Sequence, residues 1–367
     1  VIDEELESIY LKLKTLIDQE NFNYPVKVRS LPKWHTPRNQ KQAHRLRQKA
    51  RAKLIIWGTM EKGNLNSEKH TVFAPIFFSY RLKLDRRGAS VIHQGFEKVV
   101  ANRKWIISEK QDIIDRQYLA KNLREVSLYF VGVVLFFSKQ YDASFEVLKK
   151  VYQNYKQKSV ITEEEKIAIT NLGIIIDRTL REEAKNLFLW EGAENIELQI
   201  EKAYKVVNKY REVGFEENAL LQESQIEFAK KNIPRSKSLV KQALILSHQD
   251  TGACFSMAFL NYYEKDTEGG WRWLRNALKN DPTNFMVEQA PIITSWYEKA
   301  LQKDPSKTYL NFPLGILYFD LLKDYGMAKD AFETFEKEGR EEISEKSLKF
   351  MDYETKKRLK KMRKHRV

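Results

Sequence analysis

The sequence predicts an α+β protein: a small N-terminal α/β domain over residues 1–108, then an all-α, right-handed superhelix of helical hairpins over residues 120–345. Three observations predict it. Strand-like runs are confined to the stretch before Ser108. Beyond Asp115 apolar residues recur at helical spacing instead. Small residues within that second stretch then repeat at fixed intervals, which is the mark of a stacked array. Residues 109–119 read as a linker and 346–367 as a basic C-terminal tail.

The N-terminal elements follow in order. Leu6, Ile9, Tyr10, Leu13, Leu16 and Ile17 form a helical stripe behind acidic residues that complement a helix start. Val26 and Val28 alternate with Lys27 and Arg29 as in a short strand. Pro37 suits the first turn of a helix running to Ala52. Two β-rich runs come next, Lys53–Met60 and Thr71–Leu84. The segment Glu61–His70 between them carries Gly63, Asn64 and Asn66, turn residues that make the two runs a hairpin.

In the second stretch a close backbone crossing needs small side chains on both helices of a hairpin. Gly132 with Ser144, Ser224 with Ser236, and Ala258 with Gly270 all share one spacing, twelve positions. Ser224 to Ala258 and Ala243 to Ala277 share a second, longer interval, and the order Ala258, Gly270, Leu274, Ala277 ends in Asp281-Pro282. Gly315, Tyr318, Ala328, Phe332 and Phe335 give a further hairpin with one extra residue. The array is irregular: Ala277 to Ala300 falls well short of the longer interval, which implies a hairpin with a shortened first helix. Glu163–Trp190 reads as one long helix with a capping box at Thr162 and Glu165, ended by Gly192.

The order small residue, small residue, large apolar, alanine and proline resembles the tetratricopeptide repeat, whose period of about 34 residues the longer interval matches. Ala50, Ala52, Leu54, Ile55, Ile56, Trp57 and Gly58 resemble the helix-to-strand passage in the small α/β domain of TolB-like and related bacterial repeat proteins. The resemblance implies a binding scaffold, the sensing part of a larger bacterial regulatory or defence protein, and a start at Val1 fits such a piece.

Composition bounds the remaining classes. Hydrophobic residues at 42% and aromatics at 12% suffice for a packed core. The longest apolar run, Val131–Phe137, is far short of the roughly 20 residues that span a bilayer. The single cysteine, Cys254, forms no internal disulfide, and the chain is expected to be cytoplasmic. Charge is concentrated. Asn21–Met60 holds ten Lys or Arg and Lys356–Val367 holds eight, with no acid in either segment. Removing those from the 64 basic residues leaves 46 against 50 acidic, so the whole net charge of +14 lies in two short segments.

Catalytic motifs are not formed. Gly58–Gly63 has phosphate-loop spacing, but Asn64 and Leu65 stand where Lys and Ser or Thr are needed. His35, His44, His70, His93, His248 and His365 include no pair at zinc-protease spacing. His93 and Glu97 read as a surface contact, Cys254 as core, and Glu163–Glu165 as helix-start carboxylates. No enzyme activity, cofactor or metal is expected.

Two surfaces carry the functional expectation. Register on the small residues turns Tyr129, Val133, Phe136, Phe255, Phe259, Tyr262, Tyr309, Phe312 and Phe319 toward a concave groove suited to a protein or peptide ligand. Core packing between repeats is the competing account of the same residues. Arg38, Lys41, Arg45 and Lys49, flanked by Arg47 and Arg51, form a basic ridge on the first basic segment. With Lys356, Lys357 and Arg358 they offer a contact for RNA or DNA, and Trp34 and His35 offer stacking groups. A solvated charged face explains that pattern equally.

Overall fold

The computed structural model describes residues 11, 14–16, 18–19, 40–50, 54–65, 68–80, 105–108, 112–158, 161, 163–185, 195–247, 250–279, 285–341 and 343–364. Of the residues whose side chains it describes, 86% are helical and none lies in a strand. The fold class is therefore all-α, and the expected α+β architecture with an α/β domain over residues 1–108 is corrected. In that stretch the backbone contains the helix α1 (Gln40–Lys49) and an antiparallel meander, β1 (Leu54–Leu65), β2 (Glu68–Tyr80) and β3 (Trp105–Ser108). β1 pairs with β2 from Leu54–Tyr80 to Leu65–Glu68, and the register shifts between Trp57 and Gly58. Such pairing is local and needs only alternation and a turn. By itself it specifies no α/β domain. The strand expected at 25–30 lies outside the described residues.

Two units make up the chain, Val1–Asn186 and Leu187–Val367. In the first, α2 (Asp112–Phe137) and α3 (Tyr141–Lys156) form a hairpin followed by α4 (Glu163–Lys185). Leu128, Tyr129 and Val133 of α2 are buried with Phe145, Leu148 and Val151 of α3 and Leu172, Ile176 and Leu180 of α4. The hairpin crosses where small residues allow it. Ser144 Oγ donates to the Gly132 carbonyl at 2.7 Å. A methyl on Gly132 would lie 2.6 Å from the Leu148 side chain, so a larger residue there would force Leu148 to shift.

The second unit contains α5 (Ile196–Glu212), α6 (Glu216–Ala229), α7 (Ile233–Leu246), α8 (Thr251–Tyr263), α9 (Thr267–Lys279) and α10 (Phe285–Lys303). After a 3-10 turn at Thr308–Leu310 come α11 (Asn311–Leu317), a π turn (Tyr318–Leu322), α12 (Tyr325–Glu338) and α13 (Glu345–Lys364). The crossing of α6 and α7 is again made by the expected pair. Ser236 Oγ donates to the Ser224 carbonyl at 2.9 Å, and the two hydroxyls lie 2.9 Å apart. At Gly270 of α9 a methyl would meet the Tyr262 ring at 2.7 Å. The one extra residue read after Gly315 is absorbed by the π turn, the usual way a helix takes up an insertion.

The expected hairpin with a shortened first helix between Ala277 and Ala300 is not formed. α10 is a single helix of 19 residues. Its buried positions Ala290, Ile293, Tyr297 and Ala300 recur at three- and four-residue steps, one continuous stripe with no break for a turn.

One turn geometry recurs through both units. Lys139, Gly214, Lys231 and Lys265 all have positive φ, between 59° and 78°. At each, the amide bonds back three residues and the next amide bonds back five: Lys231 N to Phe228 O and Asn232 N to Glu227 O, then Lys265 N to Tyr262 O and Asp266 N to Asn261 O. This is the Schellman closure of a helix C-terminus. After Lys231 and Lys265 the side chain one position on then starts the next helix: Asn232 accepts from Arg235 N and Asp266 from Gly269 N. Lys231 and Lys265, with their capping partners, stand at the same interval as Ser224 and Ala258, so the structure is a helical repeat. A left-handed residue other than glycine is strained. Lys139→Gly is accordingly expected to raise unfolding free energy by about 0.5–1 kcal/mol in urea titration, whereas Lys139→Val should lower it.

Candidate functional site

Burial decides where the expected groove residues sit. Tyr129 (2%), Phe255 (0%), Phe259 (5%), Tyr262 (0%), Tyr309 (3%), Phe312 (0%) and Phe319 (9%) are all core side chains, and so is Val133. Only Phe136 is half-buried, packed edge-on against Phe137 and tilted against Tyr141. The groove register is corrected accordingly. Ten of the thirteen residues of α8 are buried, so that helix has no free face for an aromatic row. Phe259 lies 5.2 Å from Phe228 of α6 and 5.2 Å from Tyr297 of α10. Phe312 of α11 contacts Trp271, Phe335 and Phe350. Neighbouring hairpins fill the space assigned to a ligand.

The same core explains the ionisable groups it holds. Burial and the nearby Asp250 carboxylate push the Cys254 thiol up to about 11. Burial raises Tyr129, Tyr262 and Tyr297 as well. These groups are neutral in the fold, so their contribution is complete below their unfolded pKa values and is lost as pH rises through the folded ones. Stability should therefore fall above about pH 9, where an exposed thiol is already about half ionised. Iodoacetamide at pH 8 is expected to leave Cys254 unmodified in the native chain and to label it only after denaturation.

The basic segments divide into exposed and buried charges. On α1, Lys41, Arg45 and Lys49 are exposed at four-residue steps, while Arg47 is 2% exposed and faces inward. Arg38 and Arg51 lie outside the described residues. The C-terminal basic segment is helix as far as Lys364, and its geometry sorts its charges. Ser347, Met351, Thr355, Arg358 and Met362 are buried at steps of four, four, three and four, the period of one docked face. Phe350 stacks on Trp271 at 5.8 Å, joining this face to α9.

Arg358 therefore does not belong to a basic surface. Its guanidinium reaches Asp320 in the π turn at 2.5 Å and Glu354 at 2.5 Å, and its side chain is 11% exposed. Reading the segment as a charge run missed this, because the face a residue occupies follows from its spacing to Met351 and Met362. Lys356 and Lys357 are exposed, as are Lys360 and Lys361, about one turn along. Lys356, Lys360 and Lys361 have no acidic partner among the described residues, and Lys357 approaches Glu354 at 3.7 Å. Tyr353 stands on the same side, 64% exposed, with the Lys357 ammonium 5.6 Å from its ring. The sequence reading overlooked Tyr353, although its place three residues before Lys356 and seven before Lys360 puts all three on one ridge.

Among the described residues no group of three His, Cys, Asp or Glu is placed to hold a metal ion, and no helix is long and apolar enough to cross a membrane. No family model matches the chain, and no curated protein matches it.

Proposed function

We propose that this chain is a non-catalytic binding scaffold, a tetratricopeptide-like array that works by presenting helix faces to a macromolecular partner. The recurring left-handed turn with its following cap, at Lys231–Asn232 and again one repeat later at Lys265–Asp266, carries the reading. Identical turns and close crossings such as Ser224–Ser236 hold successive helices in a fixed relation. That rigidity lowers the ordering cost of binding for any group on the outside. The aromatic rings expected to line a groove hold the array together, so partner contacts fall to the exposed faces.

Mass spectrometry of what the full chain retains from a lysate, with and without nuclease, tests the proposal. A stoichiometric macromolecule retained at moderate salt is expected. A chain that elutes alone at every salt concentration, yet turns over a small molecule, would overturn it.

A further inference from the structure

We propose that the outer face of α13, from Tyr353 to Lys361, binds single-stranded nucleic acid; this rests on the scaffold reading and names the partner of one face. Tyr353, Lys356 and Lys360 form one ridge at steps of three and four, and Lys357 and Lys361 form the adjoining one. Side chains so spaced lie about 5–6 Å apart, and the row is about 12 Å long at roughly 1.5 Å per residue. No acid follows Glu354 on this helix, and Glu354 is held by Arg358 at 2.5 Å. Asp352 is likewise held by Arg340 at 2.6 Å. Four exposed lysines exceed what the half charge of a helix C-terminus calls for.

The ridge favours one polyanion over others. A membrane-surface helix inserts its apolar face into lipid, but here that face (Met351, Met362, Leu348, Leu359) is packed into the protein core. An acidic peptide needs side-chain pockets for affinity, and a ridge offers none. A single strand repeats its charge regularly and exposes bases. Lysines neutralise successive phosphates, and an exposed aromatic ring among them stacks on a base. A duplex keeps its bases stacked internally and gains nothing from Tyr353.

Fluorescence anisotropy with a labelled single-stranded oligonucleotide and the duplex of the same sequence tests this on the full chain. Binding should weaken with a slope in log salt of roughly −0.7 per phosphate neutralised. The triple change Lys356→Gln, Lys360→Gln, Lys361→Gln is expected to reduce affinity at least tenfold and to flatten that slope by about 2. Tyr353→Ala is expected to cost about tenfold on the single strand and little on the duplex. These side chains are exposed, and circular dichroism should show unchanged helix content and melting. Equal affinity for the duplex, or no effect of Tyr353→Ala, overturns the single-strand assignment. No oligonucleotide binding at low salt, or binding only to anionic vesicles, overturns the nucleic-acid proposal altogether. A nuclease-resistant partner in the lysate experiment would leave the scaffold reading standing in that event.

Discussion

Phe259→Ala is expected to lower the unfolding free energy of the second unit by about 3–5 kcal/mol, the range for truncating a buried phenylalanine. The ring is 5% exposed and packs against rings of two other helices: Phe228 at 5.2 Å, and Tyr297 and Trp296 at 5.2 Å and 5.7 Å. Tyr263, one turn on in the same helix, adds a tilted contact at 5.9 Å. Truncation leaves a cavity among rings that are themselves fixed by Tyr262, Phe312 and Gly270, so the site has little freedom to collapse. Urea unfolding measures the loss, and near-ultraviolet circular dichroism should show the aromatic cluster loosened. A loss below about 1 kcal/mol would return Phe259 to an exposed groove and reopen peptide binding there.

The second large effect is expected at Arg358. Removing one member of a buried ion pair leaves its partner unpaired and typically costs about 3–5 kcal/mol. Asp320 and Glu354 keep 28% and 16% of their side-chain surface exposed. Solvent screening therefore brings the expected cost of Arg358→Ala to about 2–3 kcal/mol. The loss should be local. α13 is held to the core by Met351, Met362 and Phe350 as well as by this pair, so limited proteolysis should cut within or before the helix sooner than elsewhere. A double-mutant cycle with Asp320→Asn should give a clear coupling energy. A variant as stable as the parent but weakened in oligonucleotide binding would make Arg358 a surface contact. The contrast with Lys356 and Lys360, expected to change binding and spare stability, separates the two roles on a single helix.

Much of the array was legible in the chain. Pairs of small residues twelve apart mark hairpin crossings because a backbone cannot approach another across a large side chain. Ser144 with Gly132 and Ser236 with Ser224 are bonded at those positions. The extra residue after Gly315 was legible as a count and emerged as a π turn, from which Asp320 reaches Arg358. The expected α/β domain was not sound. β-propensity in Leu54–Leu65 and Glu68–Tyr80 reports local pairing, and local pairing does not say whether helices cover the sheet.

Sequence alone determined what depends on near neighbours along the chain: helical periodicity, turn and cap chemistry, and the small residues that permit a crossing. Tertiary structure decided which face of each helix is covered. α8 is apolar on every side, so its own pattern selects no outward direction; α6 and α10 close over Phe259, while Tyr262 packs with Gly270, Tyr297 and Phe312. Charge follows the same logic. Arg358 and Lys356 are two residues apart in one basic run, yet a rotation of about 200° between them sends one inward to the half-buried Asp320 and the other to solvent. A run of like charges fixes how much charge a helix carries, and only packing on its neighbours fixes where that charge is presented.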